Sequence, residues 1–166
     1  LLIDCDLRRP TIHKLFGYEP IAGLSNYLNG EFGLSDLLVK TEIERLSILA
    51  GGPPPSNPSE LLSSNRMIAL IKEVRSRYDD RYIVIDSPPP HLTAESKALS
   101  EQVDGIILVV KHNQTNRELV TQIVQKFKKE KIIGIVANWM DAASQKFYGD
   151  GELAKYNYYH SGKDSK

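Results

Sequence analysis

Three aspartates stand directly after apolar runs of the sequence. Asp4 and Asp6 follow the apolar residues 1–3, and Asp86 follows residues 82–85. Residues i and i+2 of an extended chain share one side, so Asp4 and Asp6 are predicted to point the same way. Magnesium commonly takes one or two protein carboxylates together with water and phosphate oxygens. Taken alone, each aspartate is more simply a loop cap, but three at neighbouring strand ends favour a site for Mg²⁺ and phosphate.

Two arginines follow the paired acids. Arg8 and Arg9 are placed to offset repulsion between the carboxylates or to bind phosphate, because a guanidinium group matches phosphate oxygens well. The alternative is a pair of solvated surface arginines. If the arginines bind phosphate, Arg8 is a candidate ligand for a phosphate-containing cofactor.

Short apolar runs are predicted to be the strands that position these residues. They cover residues 1–3, 46–50, 82–85, 105–110 and 132–137. Their leucine-rich and β-branched composition is typical of strands that are buried on both faces.

Segments between the later strands carry helix start signals. Thr115 with Glu118 forms a capping box before an apolar periodic stretch. Asn57 followed by Pro58 marks a second start, and Ser64 is a candidate break that divides this segment into two helices. Strands alternating with such helices predict an α/β fold, a mostly parallel sheet with helices on both faces. Ligands of such folds bind at the carboxyl ends of the strands.

Two other stretches show different patterns. Residues 10–40 hold short apolar clusters between glycines, which predict small helical turns rather than one long helix. From residue 142 the apolar periodicity fails, so we expect one domain over residues 1–141 and a flexible tail over residues 142–166. The tail holds Tyr148, Tyr156, Tyr158 and Tyr159 among polar residues.

Charge and composition argue against several classes of function. The chain has 21 basic and 21 acidic residues, so no global field favours nucleic acid or an anionic bilayer. Its single cysteine, Cys5, forms no internal disulfide and is predicted to lie in the core, which favours the cytoplasm. No run approaches the roughly 20 apolar residues that span a bilayer. We expect membrane contact only through a partner or through sequence outside this chain.

Several segments resemble, in the same order, bacterial tyrosine kinases that control capsule and exopolysaccharide export. Residues 2–10, Leu-Ile-Asp-Cys-Asp-Leu-Arg-Arg-Pro, are similar to the Walker A′ motif of that family, and residues 82–89 to its Walker B motif. Both motifs also fit partition and septum-site ATPases. The proline-rich residues 51–62, Gly-Gly-Pro-Pro-Pro-Ser-Asn-Pro-Ser-Glu-Leu-Leu, are more specific. The likeness covers about residues 1–138 and implies a P-loop NTPase fold of the MinD/ParA type.

The resemblance implies that ATP binds with Mg²⁺ and that its γ-phosphoryl group passes to tyrosines of a neighbouring subunit. Asp4 and Asp6 carry over as the Walker A′ acids, and Asp86 as the Walker B acid that acts on Mg²⁺ directly or through water. Substitution of these acids is expected to lower the rate more than the stability. Asn138 stands where the family has an asparagine at the adenine edge, with a loop cap as the alternative.

The tail resembles the C-terminal tyrosine cluster that the family phosphorylates, although it is shorter and more interrupted than many. This makes Tyr148, Tyr156, Tyr158 and Tyr159 candidate phosphoacceptors, and incidental tyrosines are the alternative. For the intact protein, the resemblance implies autophosphorylation that regulates polymerisation and export of exopolysaccharide or capsule. It further implies a ring-like homo-oligomer that works with a membrane polysaccharide co-polymerase or adaptor, at the inner face of the plasma membrane.

The chain departs from the family in lacking a P-loop. No Gly-x-x-x-x-Gly-Lys-[Ser/Thr] string is present, so amides that cradle phosphate and a lysine that neutralises it are missing. We expect this chain alone to bind ATP weakly or not at all, and to be inactive. Truncation at the amino end explains this better than a degenerate site, because residues 1–3 read as the interior of a strand. A partition-type ATPase and a non-catalytic regulatory domain of a polysaccharide co-polymerase are the alternative functions.

Overall fold

The computed structural model describes residues 1–77, 81–89, 95–127 and 129–140. The chain falls into two compact units, Leu1–Asp104 and Gly105 onward. The predicted boundary between a domain over residues 1–141 and a tail over residues 142–166 lies beyond the last described residue and stays a prediction.

The first unit is built on a mostly parallel sheet. Its strands, in spatial order, are β2 (Leu38–Lys40), β3 (Ser47–Leu49), β1 (Leu2–Asp4) and β4 (Val84–Asp86). β1 pairs in parallel with both β3 and β4, whereas β2 runs antiparallel to β3. Of these four strands only β2 is missing from the sequence prediction, which assigned residues 10–40 to short helical turns.

Among the described residues, five helices lie between these strands in the sequence, and a sixth follows β4. They are α1 (Ile12–Leu15), α2 (Leu24–Asn29), α3 (Leu34–Leu37), α4 (Pro58–Leu62), α5 (Asn65–Arg77) and α6 (Glu95–Gln102). The first three are the short turns predicted for residues 10–40. The break predicted at Ser64 is confirmed, since its hydroxyl oxygen accepts a hydrogen bond from the Met67 amide at 3.2 Å and caps α5.

The core of this unit lies against β1 and β3. Helix α5 buries Met67, Leu70, Ile71 and Val74, whose spacing gives one apolar face. These side chains join one hydrophobic cluster with the buried residues of β1 and β3. Cys5 belongs to the same cluster, which confirms its prediction as a core residue.

The second unit contains β5 (Ile106–Lys111), α7 (Arg117–Lys126), a 3₁₀ turn (Lys129–Lys131) and β6 (Ile132–Asn138). β5 and β6 pair in parallel. The capping prediction for α7 was wrong by one residue. The Asn116 side chain accepts a hydrogen bond from the Glu118 amide at 2.8 Å, whereas the Thr115 hydroxyl accepts one from the Lys111 amide at 2.9 Å.

Burial of the strands on both faces is confirmed for β1 and β3 and is wrong for the others. In the described part of the chain, several apolar side chains of β4, β5 and β6 are exposed. They are Val84, Ile107, Val109, Ile133, Ile135 and Val136. An apolar run predicts the strand but not which layers cover it. The alternation of strands and helices and the mostly parallel pairing confirm the predicted α/β class.

No helix among the described residues has the length and apolar character needed to cross a bilayer.

Candidate active site

The predicted acids meet at the carboxyl ends of β1 and β4. Asp4 is the register partner of Asp86 in the parallel pairing of these strands. The amide of Cys5, one residue on, donates to the Asp86 carbonyl oxygen at 2.8 Å. The negative charge of Asp6 acts on both other carboxylates. The structure therefore places Asp4, Asp6 and Asp86 together.

The carboxylate of Asp4 is occupied by the backbone. Its Oδ2 accepts hydrogen bonds from the amides of Thr11 and Ile12, each at 3.0 Å, and its Oδ1 accepts one from the Asp6 amide at 3.2 Å. Burial raises the pKa of Asp4, the three backbone N–H groups oppose the rise, and the Asp6 charge adds to it. Asp4 thus fixes the loop that follows β1.

Asp6 and Asp86 are more accessible than Asp4. Asp6 is half-buried, and its Oδ1 accepts a hydrogen bond from the Arg9 amide at 3.1 Å. Asp86 is exposed. Partial desolvation, followed by the charges of Asp4 and Asp6, raises the pKa of the Asp86 carboxyl. Free carboxylate oxygens that repel one another suit a divalent cation.

These residues fit the protein's share of a magnesium site. Among the described residues no group of three His, Cys, Asp or Glu side chains is arranged to hold a metal ion by itself. Magnesium keeps several waters and needs only one or two carboxylates when a nucleotide supplies phosphate oxygens. Asp6 and Asp86 are the two acids with oxygen atoms left for that purpose.

The loop after β3 closes against the same end of the sheet. A Cβ atom on Gly51 would lie 2.6 Å from the Pro10 Cβ and 3.4 Å from the Asp4 Cγ, so a side chain at this position does not fit. The Ser25 hydroxyl donates to the Pro53 carbonyl oxygen at 2.8 Å. The proline-rich segment is thus attached both to the end of β1 and to α2.

Arg8 pairs with a carboxylate that the sequence analysis missed. Its Nε and Nη2 donate to Glu95 Oε1 at 3.2 and 2.9 Å, and its Nη2 also donates to Ser59 Oγ at 3.3 Å. The Ser59 hydroxyl donates to the same Glu95 oxygen at 2.7 Å. The Glu95 side chain is 1% exposed and that of Arg8 52% exposed. Glu95 stands in no recognisable motif, so no sequence signal marks it, and the nucleotide role of Arg8 stays a prediction.

Asn138 lies in the second unit, at the end of β6. Its carbonyl oxygen accepts a hydrogen bond from the His112 amide, and its Oδ1 accepts one from the Trp139 amide, both at 2.8 Å. Trp139 is exposed, has a φ of 61°, and lies with its ring centroid 4.1 Å from the Lys111 ammonium nitrogen. The Asn138 side-chain oxygen thus accepts a hydrogen bond from the next residue of the chain. A contact between Asn138 and adenine stays a prediction.

The candidate phosphoacceptors lie outside the described residues. They are Tyr148, Tyr156, Tyr158 and Tyr159.

No family model matches the chain. Curated relatives do match it. The chain is 34% identical over 156 residues to CapB of Staphylococcus aureus, named as a candidate tyrosine-protein kinase, and the match covers 92% of this chain and 68% of CapB. It is 32% identical over 151 residues to the tyrosine-protein kinase YwqD of Bacillus subtilis, with 90% of this chain and 63% of YwqD covered. The chain thus spans about two thirds of the length of these relatives.

Solved structures also match the chain, among them a kinase domain. The VpsO kinase domain matches with a TM-score of 0.78 and 39% identity, over 84% of this chain and 70% of that domain. The chimerical protein CapA2B2 matches with a TM-score of 0.76 and 30% identity, over 84% of this chain and 62% of that chain. The cell division ATPase MinD of Pyrococcus furiosus shares the fold alone, with a TM-score of 0.65, 21% identity, and 82% and 57% coverage. These likenesses confirm the predicted P-loop NTPase fold of the MinD type.

Proposed function

The chain belongs to the family of bacterial tyrosine-protein kinases, and we propose that its protein transfers the γ-phosphoryl group of ATP to its own tyrosines. We propose that this autophosphorylation regulates the polymerisation and export of exopolysaccharide or capsule. The relatives named as tyrosine-protein kinases support the reaction class.

One observation carries the proposal at the level of the site. The register of β1 with β4 sets Asp4 beside Asp86 at the carboxyl ends of adjacent parallel strands. Ligands of open α/β sheets bind at this edge. Phosphoryl transfer depends mainly on positioning and on neutralising charge, so carboxylates that place a metal ion are suitable chemistry there.

The acids have different parts in this proposal. Asp6 and Asp86 would hold Mg²⁺, directly or through water, because their oxygens are the accessible ones. Asp4 would act on the site through the backbone, since its oxygens accept the amides of Asp6, Thr11 and Ile12. Bound Mg²⁺ supplies charge neutralisation to the phosphates of ATP. We propose that the same carboxylates accept the proton that the tyrosine hydroxyl releases.

The phosphate-binding loop is not part of this chain. Its sequence contains no Gly-x-x-x-x-Gly-Lys-[Ser/Thr] string, and a backbone cradle of that kind is what holds the nucleotide phosphates. We therefore propose the kinase activity for the intact protein that the gene encodes, referred to below as the gene-encoded protein. Residues 1–166 alone are expected to bind ATP weakly or not at all.

Assembly and location follow from the same proposal. We propose a ring-like homo-oligomer in which the active site of one subunit receives tyrosines of the next. We also propose a cytoplasmic domain held at the inner face of the plasma membrane by a polysaccharide co-polymerase or adaptor. The match to the chimerical protein CapA2B2 is compatible with such a partner.

Phosphotyrosine formation tests this proposal. The gene-encoded protein is purified, treated with a phosphatase, incubated with Mg²⁺ and ATP, and mapped by mass spectrometry. Phosphate on tyrosine that depends on Mg²⁺ and ATP is the expected result. ATP hydrolysis without phosphotyrosine would instead indicate a partition-type ATPase, and the absence of both reactions would indicate a non-catalytic regulatory domain.

A further inference from the structure

The cluster of Arg8, Ser59 and Glu95 joins three segments of the first unit. Arg8 lies in the turn after β1, Ser59 in the first turn of α4, and Glu95 at the first residue of α6. Each member contacts both others through hydrogen bonds of 2.7 to 3.3 Å. A cluster with this connectivity restrains the turn, α4 and α6 together.

Burial makes the cluster dependent on its charges. The Glu95 side chain is 1% exposed and is one of the largest fully buried side chains. A buried carboxylate is tolerated only when it is paired and hydrogen-bonded. Arg8 supplies the cation from a position that is half open to solvent. These hydrogen bonds hold the Arg8 guanidinium beside Glu95 and Ser59.

The turn that carries Arg8 also carries Asp6. The Arg9 amide donates to both the carbonyl oxygen and the Oδ1 of Asp6, each at 3.1 Å, which closes the turn on itself. Leu7, between Asp6 and Arg8, is buried in the core. Arg8 and Asp6 therefore lie two residues apart in one hydrogen-bonded turn.

We propose that Glu95, assisted by Ser59, is a positioning residue of the active site. Acting through Arg8, it sets where the Asp6 carboxylate stands for the magnesium ion. Glu95 begins the helix that follows β4 in sequence, so the cluster also links the segment after Asp86 to the segment that bears Asp6. This inference rests on the proposed kinase function, because that function gives Asp6 its metal.

The variants that test it are Glu95→Gln, Arg8→Ala and the double variant in the gene-encoded protein. Glu73→Gln is the matched control, since Glu73 pairs with Arg77 one turn further along α5 at 2.6 Å, a contact that includes none of the three acids. Two quantities are measured: the Mg²⁺ concentration for half-maximal autophosphorylation at saturating ATP, and amide hydrogen exchange over residues 5–12 without nucleotide.

We expect Glu95→Gln to raise the half-maximal Mg²⁺ concentration by about tenfold to a hundredfold, the range for losing a group that orients a metal ligand. Exchange over residues 5–12 should become faster. The double variant should be no worse than Arg8→Ala, because residues acting through one contact are not additive. Glu73→Gln should match the natural protein in both measurements.

Several outcomes would overturn the inference. Natural Mg²⁺ dependence and natural exchange in Glu95→Gln would show that Glu95 positions nothing. Additive effects of the two single variants would show that Glu95 does not act through Arg8. If Glu95→Gln fails to fold, Ser59→Ala leaves both charges in place and should give a smaller shift in the same direction, and no shift would contradict the proposal. If the natural protein forms no phosphotyrosine, the proposed function fails, while the exchange measurement still decides whether the cluster holds the turn.

Discussion

At the scale of single residues, Asp4 and Asp86 share a strand register but differ in environment. The carboxylate of Asp4 is 0% exposed and accepts three backbone amides. Asp86 is exposed and keeps its side-chain oxygens for other partners. The expectation that all three acids matter more for rate than for stability therefore changes for Asp4, which the structure gives a backbone role.

Asp4→Ala should destabilise the chain. Alanine provides no acceptor, so the three backbone amides that donate to the Asp4 carboxylate lose their hydrogen bonds, at a cost of about 1–3 kcal/mol for each one left unsatisfied. Urea unfolding of residues 1–166 measures the change. Asp104→Ala is the control, because Asp104 is exposed in its pair with Arg75 and should contribute little. Equal unfolding midpoints for the two variants would contradict the role of Asp4.

Asp86→Asn should raise stability at neutral pH. The pKa of Asp86 is raised, so its charged form is disfavoured in the folded chain, and this loss of stability is present above the folded pKa. As the pH falls through that pKa toward the ordinary value of 3.8, Asp86 is protonated and the penalty disappears. The melting temperature of Asp86→Asn should exceed that of the natural chain at pH 7, and the difference should shrink on acidification. A difference that grows in acid would reverse the assigned sign.

The sequence predicted the three acids of the site but not Glu95, and the difference has a physical reason. Asp4, Asp6 and Asp86 follow apolar runs, and parallel strands bring such ends together. Glu95 meets Ser59 across 36 residues and Arg8 across 87. Contacts over such separations depend on packing and leave no periodic or local pattern.

At the scale of elements, the loop after β3 depends on glycines for its approach to β1 and α2. Gly52 has a φ of 80°, and a Cβ atom there would overlap the Ser25 hydroxyl oxygen and lie 2.9 Å from Asn26 Oδ1. Gly17 also has a positive φ, 73°, but no atom lies within 4 Å of its added Cβ. A comparison of substitutions at these two positions therefore separates the free-energy cost of backbone strain from that of crowding.

Gly52→Ala should therefore destabilise residues 1–166 more than Gly17→Ala does. Left-handed backbone costs a non-glycine residue about 1–2 kcal/mol at either position, and crowding at residue 52 should add about 1–3 kcal/mol. Thermal unfolding of both variants gives the comparison. Equal losses would mean that the loop moves away from α2 without penalty.

The elements themselves were largely predictable. Runs with strand composition located β1, β3, β4, β5 and β6, and Ser64 was predicted as a break that divides one helical segment into two helices. The short β2 and the shift of the α7 cap from Thr115 to Asn116 escaped prediction. Both depend on pairing and backbone geometry that neighbouring residue types do not specify.

At the scale of the whole protein, the tail is the proposed phosphoacceptor. Each phosphate adds about −1.5 to −2 charges at neutral pH, so several on one short tail would repel one another and neighbouring tails. Phosphorylation should then favour smaller assemblies.

The tail prediction is tested with a gene-encoded variant in which all four tyrosines become phenylalanine. They are Tyr148, Tyr156, Tyr158 and Tyr159. Light scattering with Mg²⁺ and ATP should show larger assemblies for this variant than for the natural protein, because its tail cannot acquire charge. Phosphotyrosine confined to positions outside residues 148–159, or identical assembly masses, would contradict the proposed role of the tail.

The acids at the ends of β1 and β4 are the centre of the proposed mechanism, and the rate of phosphotyrosine formation tests them most directly. Initial rates are compared for the natural gene-encoded protein, Asp86→Asn and the control Asp104→Asn, after circular dichroism has shown all three to be folded. Loss of a carboxylate that places the metal should lower the rate about a hundredfold or more, while Asp104→Asn should keep the natural rate. An Asp86→Asn rate within about twofold of the natural protein would contradict the assignment of this edge of the sheet as the active site.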